Sequence, residues 1–309
     1  MPPPTSGSTA SPADRGEISA GQGGKRRGEA KRRAWGVPYL GFALPAVLAV
    51  GLLYLVPLGW LAVVSFGGPS ELTLKWYVQI FGSEGIRNML WTTVRIVGIT
   101  TAVSLVLGYL IAYAMAHMGE RQRLLLTLCV LVPFWLSVLV RALAWLILLR
   151  NNGIINSGLL AVGAIDEPLA LVRNELGVVI GMVHYMIPYA VFPLYGAMRN
   201  MDQRLLMAAR SSGAGPARTF RDVFLPLTLP AIFGAGLLVF VFGLGFFVTP
   251  AILGGGRIVM LSEYVSINIL QTPRWGLASA LSILLLLATL ALIWAMSRIV
   301  NLRRMLGAG

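Results

Sequence analysis

The sequence predicts an all-α membrane protein with six transmembrane helices and both termini on the cytoplasmic side. Three observations carry this. Hydrophobic residues fill 57% of the 309 positions and charged residues only 12%, where a soluble domain has about 25% charged residues. Six apolar runs, near 39–66, 89–116, 124–149, 176–197, 229–252 and 277–299, each reach the roughly 20 residues that a membrane helix needs. The basic residues are partitioned between the intervening segments. With the N-terminus inside, 17 Lys/Arg fall in inner segments and 6 in outer ones, while the acids split 6 and 6. That is the positive-inside pattern.

Residues 1–34 are rich in Pro, Gly, Ser and Ala and contain the basic cluster KRRGEAKRR at 25–33. They cannot bury enough apolar surface to fold and are expected to form a disordered cytoplasmic tail. The cluster would hold the N-terminus inside and attract anionic lipid. Residues 35–88 read as the first membrane helix and an outer loop, 89–300 as a core of five membrane helices, and 301–309 as a short cytoplasmic C-terminus. The outer loops, 67–88, 150–175 and 253–276, carry amphipathic stretches suited to short interfacial helices. Gly177 and Gly181 form a G-x-x-x-G pair on span four, and Gly234, Gly236, Gly243 and Gly245 crowd span five. Such small residues let helices approach closely in lipid.

The same pass excludes several functions. No phosphate loop, H-E-x-x-H or G-x-S-x-G motif is present, so the chain is expected to be non-catalytic, with no bound cofactor or metal. The net charge of +13 is spread as topology signals between apolar runs, so no nucleic-acid partner is expected. The single cysteine, Cys129, permits no intrachain disulfide. His117 and His184 lie on different spans and read as packed side chains.

Two charges interrupt the apolar runs. Arg95 lies near enough to an outer end to snorkel. Arg141 is about 14 Å from Arg150 at 1.5 Å per residue, so it calls for an ion pair, a capped carbonyl or a solute contact. Glu175 and Glu263 are the acids on the matching side. Trp145 and Tyr185, with Trp76, Tyr77 and Tyr264 further out, offer aromatic faces for a cation or serve as packing and interfacial residues.

The stretch MAARSSGAGPARTFRDVFLPLTLP, residues 207–230, is too polar to cross a membrane and lies in an inner segment. Its small residues, Ala208, Ala209, Gly213 and Ala217, leave a thin surface. Two short helices bent at Gly213–Pro216 would present that surface to a groove, with Arg210, Arg218 and Arg221 pairing with acids at its rim, and Pro226 and Pro230 would stop this element and open span five.

The spacing here resembles the docking-loop motif of the inner-membrane permeases of binding-protein-dependent ABC importers: Glu-Ala-Ala, three residues, Gly, nine residues, Ile, one residue, Leu-Pro. This chain has Ala208-Ala209, Gly213, Val223 and Leu225-Pro226 in register, with Met207 where the family has Glu. PFWLSVLVRALAWLILLRNNGIIN (133–156), VIGMVHYMIPYAVFPLYGAMRNMDQRLLMAA (179–209) and TPAILGGGRIVMLSEYV (249–265) are similar to the spermidine/putrescine permeases of that family. The resemblance covers roughly residues 40–300. It implies a type I importer permease fold in the bacterial inner membrane, with a coupling helix between spans four and five. It also implies two ATP-binding subunits that use ATP and Mg, a second, homologous but different permease, and an external solute-binding protein. Met207, Ala208, Ala209, Gly213, Ala214, Gly215, Arg218, Leu225 and Pro226 would form the ATPase-docking loop. The implied cargo is a polyamine. The alternatives are the same machine with another small solute, such as a phosphonate, an iron complex or thiamine, or a stand-alone secondary transporter.

Overall fold

The computed structural model describes residues 37–68 and 71–305, with side chains over 44–68 and 71–298. The tail expected over residues 1–34 lies outside the described residues. All regular structure among the described residues is helical. Six segments are long and apolar enough to cross a membrane: Leu44–Ser65, Glu84–His117, Val138–Ala161, Glu175–Arg199, Pro216–Leu244 and Trp275–Arg298.

The chain divides at Gly59/Trp60 into two units. The first holds most of α1 (Val37–Ser65), an apolar helix with Pro45 and Pro57 inside it. In the second unit, α3 (Glu84–His117), α7 (Glu175–Arg199) and α10 (Leu225–Leu244) pack on one another and form the core. Glycines set how closely these helices approach. A Cβ on Gly108 of α3 would meet the Ala190 Cβ at 2.7 Å, and one on Gly243 would meet Val97 Cγ1 at 2.8 Å. A Cβ on Gly181 of the predicted G-x-x-x-G pair would meet Thr249 Cγ2 and Leu253 Cδ1 at 2.7 and 2.8 Å. That contact seats α11 (Val248–Gly254) on α7.

The outer loops do contain short helices: α2 (Lys75–Gly82), α6 (Ile154–Ala161) and α12 (Leu261–Leu270). Ile80, Ile86, Leu261, Leu277 and Leu281 cluster where α2, α12 and the start of α13 (Trp275–Met305) meet α3. Thr93 Oγ1 on α3 accepts a hydrogen bond from the Leu261 amide at 2.9 Å, tying α12 to α3.

Three boundaries differ from expectation. The third run, 124–149, is not one helix: α4 (Glu120–Trp135) ends and α5 (Val138–Leu149) begins after two extended residues, Leu136 (ψ 145°) and Ser137 (ψ 137°). Pro133 sits in the last turn of α4, where it removes a donor and crowds the preceding turn. The two pieces then pack differently, α4 on α3 and α7, α5 on α7 and α11. The fifth run stops at Leu244, and α11 continues after the break at Gly245–Phe247. At its other end, Pro226 stands in the first turn of α10, as expected of a residue that opens span five, but neither Pro226 nor Pro230 stops a helix. The chain runs as α9 (Pro216–Thr219), a π-helical turn (Phe220–Phe224) and α10. In that turn the Leu225 amide reaches back to the Phe220 carbonyl. The widened ladder makes room for a ring that would clash in an ordinary α turn.

Candidate functional site

The loop between α7 and α10 is built to be exposed on one side and rooted on the other. Asp202 caps α8 (Gln203–Ser211) by accepting the Arg204 amide at 2.9 Å. At the far end the Gly213 amide donates to the Arg210 carbonyl at 3.0 Å and the Ala214 amide to the Ala209 carbonyl at 3.1 Å. This is a Schellman closure, which needs a left-handed residue; Gly213 supplies it with φ +84°. Gly215 then precedes Pro216, the first residue of α9. Met207, Ala208, Gly213, Gly215, Arg218 and Pro226 are exposed, while Ala209, Ala214 and Leu225 are half-buried. Arg218 and Arg221 reach Asp222 at 3.4 and 2.9 Å. These exposed pairs hold the arginines near the surface at little net energy.

The root is aromatic, and the sequence reading missed it. Leu206, Thr219 and Phe224 are buried. Phe220 and Phe224 stack at 5.7 Å, and Tyr113 of α3 packs edge-on to both, at 5.7 and 5.4 Å. Tyr109 meets Phe220 at 6.4 Å, and its hydroxyl is 3.1 Å from Thr228 Oγ1. His117 packs on Phe224 at 5.7 Å, with Nδ1 2.8 Å from the Tyr113 carbonyl oxygen; it is a packed side chain, as expected. A signal was present: residues 109, 113 and 117 share one helical face, and so do 220 and 224.

The intramembrane charges resolve differently from one another. Arg95 does not merely snorkel. Its Nη2 pairs with Glu175 Oε1 across α3 and α7, which removes Glu175 as a partner for Arg141. Arg141 is 93% buried on α5 and makes no ion pair among the described residues; its Nε and Nη1 have no hydrogen-bond partner. Its guanidinium lies 4.2 Å from the centre of the Tyr185 ring, a cation–π contact in a desolvated setting. Tyr185 stacks on Tyr189 at 5.8 Å and meets Phe246 at 4.5 Å, and Trp145 meets His184 edge-on at 5.6 Å. The structure therefore sets Arg141 against Tyr185 and Trp145 against His184, both on α7. It also adds His184, Tyr189, Phe242 and Phe246, which run-by-run reading could not place. Glu263 stands apart: its side chain is buried and Oε2 lacks a partner among the described residues. Burial pushes that carboxyl above the ordinary range, against the opposing pull of a hydrogen bond from the Met260 backbone.

A family described as binding-protein-dependent transport system inner membrane component matches residues 104–304. The chain belongs to that family. It is 32% identical over 212 residues to the spermidine/putrescine transport system permease protein PotB of Haemophilus influenzae, covering 69% of this chain and 74% of the relative. It is 33% identical over 206 residues to the Escherichia coli K12 protein of the same description, covering 66% and 75%. A solved bacterial ABC transporter involved in the import of alginate aligns with a TM-score of 0.68 at 17% identity, over 89% of this chain and 98% of that one. The inward-facing methionine transporter MetNI aligns at 0.51. These structures share the fold. The protein is thus a multi-pass membrane permease of the ABC importer type, as the docking-loop motif implied.

Proposed function

We propose that this chain is one of two permease subunits of an ATP-driven importer in the bacterial inner membrane, that its cargo is a polyamine, and that residues 202–226 dock into a separate ATPase. The observation that carries the docking assignment is the two-sided build of the loop. One side is thin and exposed around Met207, Ala208 and Gly213; the other is locked to α3 by Tyr109, Tyr113 and His117. Because α9, the π turn and α10 are continuous, a push on the exposed side reaches α10 directly and α3 through the aromatic root. ATP and Mg act in the partner, which binds one conformation of the pair more tightly and so shifts the permease between two states. The second permease is a homologous but different chain, an external binding protein delivers the solute, and the loop lies on the cytoplasmic side. Residues 89–300 are the permease core in this reading.

The polyamine assignment rests on the names of the relatives. One observation favours a different small solute: the buried guanidinium of Arg141 has no acidic partner among the described residues and would repel a polycation passing close to it. Uptake of labelled spermidine and putrescine into vesicles holding the reconstituted transporter separates the two. ATP-dependent accumulation supports the polyamine reading. Transport that persists without ATP or an ATPase subunit would refute the importer.

Met207 occupies the family's Glu position but is 57% exposed, with Arg204 and Arg210 each three residues away on the helix. A glutamate there gains i,i±3 pairs worth about 0.2–0.5 kcal/mol and loses no packing. Met207→Glu is expected to keep uptake within about twofold of wild type, since exposed substitutions usually stay within ±0.5 kcal/mol. Initial-rate uptake at equal membrane expression checks this.

A further inference from the structure

Residues of α2, α3, α10, α12 and α13 enclose an apolar groove of about 370 Å³. Its floor is buried: Leu244, Leu261 and Leu281 are at most 7% exposed. Its mouth is open, with Phe81, Val94 and Ala288 exposed. Leu281, Leu285, Ala288 and Leu292 follow one stripe of α13 and give the groove its length. From Leu281 to Leu292 the helix rises about 16 Å at 1.5 Å per residue, close to one leaflet of a hydrocarbon core about 30 Å thick.

Shape and chemistry decide what fits. The volume spread over that length leaves a mean cross-section of about 23 Å², roughly 5 Å across, against about 10–12 Å for a helix with its side chains. A whole helix does not enter, whereas a single hydrocarbon chain, whose carbons pack about 4 Å from their neighbours, does. A buried water needs about two to four polar partners. The polar side chain on the wall, Thr93, already donates to the Met89 carbonyl and accepts from the Leu261 amide. Leu90 and Val94 of α3 line the groove, and Arg87 continues their stripe one turn toward the outer surface. Arg87 is exposed and makes no ion pair among the described residues, with Glu84 on the preceding turn or with any other acid.

We propose that this groove holds one acyl chain of an outer-leaflet phospholipid, whose phosphate sits on the Arg87 guanidinium. Guanidinium groups engage phosphate through paired N–H donors. Lipid tails are as apolar as the leucines of the wall, so entry brings no hydrophobic gain. Occupancy comes instead from filling a slot whose lining would otherwise lack contacts, and from the charged hydrogen bonds at its mouth. The bound chain would join α2 and α12 of the outer loops to α3, α10 and α13 of the membrane core. The site requires the membrane-spanning fold alone and does not depend on the transport cycle.

The test uses the complete transporter in nanodiscs of phosphatidylethanolamine and phosphatidylglycerol. A trace of the phosphatidylglycerol carries a photoreactive diazirine midway along one acyl chain. After irradiation, peptide mass spectrometry is expected to find adducts on Leu285 and Phe240 of the groove in excess of those on Leu287 and Leu290, which are exposed elsewhere on α13. Arg87→Gln is expected to lower the groove adducts about tenfold, the loss of a charge-assisted hydrogen bond, and to leave those on Leu287 and Leu290 unchanged. Ala288→Trp, which fills the slot, is expected to remove the groove adducts. If that variant does not assemble, Arg87→Gln decides alone, because its side chain is exposed. Groove adducts no more frequent than those on Leu287 and Leu290, or unmoved by Arg87→Gln, would overturn the proposal. A photoreactive amino acid in place of Ala288 that captured the second permease instead of phospholipid would also overturn it, since a protein segment would then cover the groove.

Discussion

Gly213→Asp is expected to abolish ATP-driven uptake while leaving the protein inserted in the membrane. Gly213 is exposed, has φ +84°, and a Cβ built on it meets nothing within 4 Å. The substitution therefore costs little packing inside this chain, and aspartate tolerates the left-handed region better than most residues. What changes is the surface between α8 and α9, where a charged side chain now stands on a face proposed to fit a groove. A charge left unpaired in such an interface costs about 2–5 kcal/mol, enough to remove coupling to hydrolysis. Uptake, ATPase co-purification and membrane yield should be measured together. Wild-type uptake would show that this segment is not the docking element, and loss of membrane yield would place the defect in folding.

Arg141→Met is expected to raise polyamine uptake about tenfold, a barrier lowered by roughly 1.4 kcal/mol, because it removes the buried charge that repels a polycation, and to do so without destabilising the protein. Arg141 is buried with Nε and Nη1 unpartnered. Replacing a buried ion by an apolar side chain of similar length is often neutral or stabilising by about 1–4 kcal/mol. The thermal midpoint of the solubilised complex should therefore hold or rise. Arg141→Lys keeps the charge but loses the planar stack on Tyr185, so its uptake should fall between the two. A falling midpoint in the Met variant would make Arg141 a structural residue, and unchanged uptake would remove it from the solute path. Faster polyamine uptake in that variant would mean that the wild-type guanidinium acts as a barrier to cations.

The sequence by itself determined the solvent, the number of spans, and the segment between spans four and five where the family motif lies. Each is local: an apolar run is long enough or not, and the motif is a spacing along one strand of chain. The sequence also indicated that Arg95 and Arg141 needed explanation. It could not say that Arg95 would find Glu175, 80 residues away, while Arg141 would meet the Tyr185 ring. The tertiary structure alone decided that, because partner choice depends on which helix faces meet. Packing likewise gave the loop between α7 and α10 its aromatic root, since Phe220 and Phe224 are anchored by the side chains of α3. The break after Pro133 and the helix that survives Pro226 and Pro230 follow the same logic. Proline removes a donor in every case, but the surrounding backbone decides whether the helix ends or widens by one residue into a π turn.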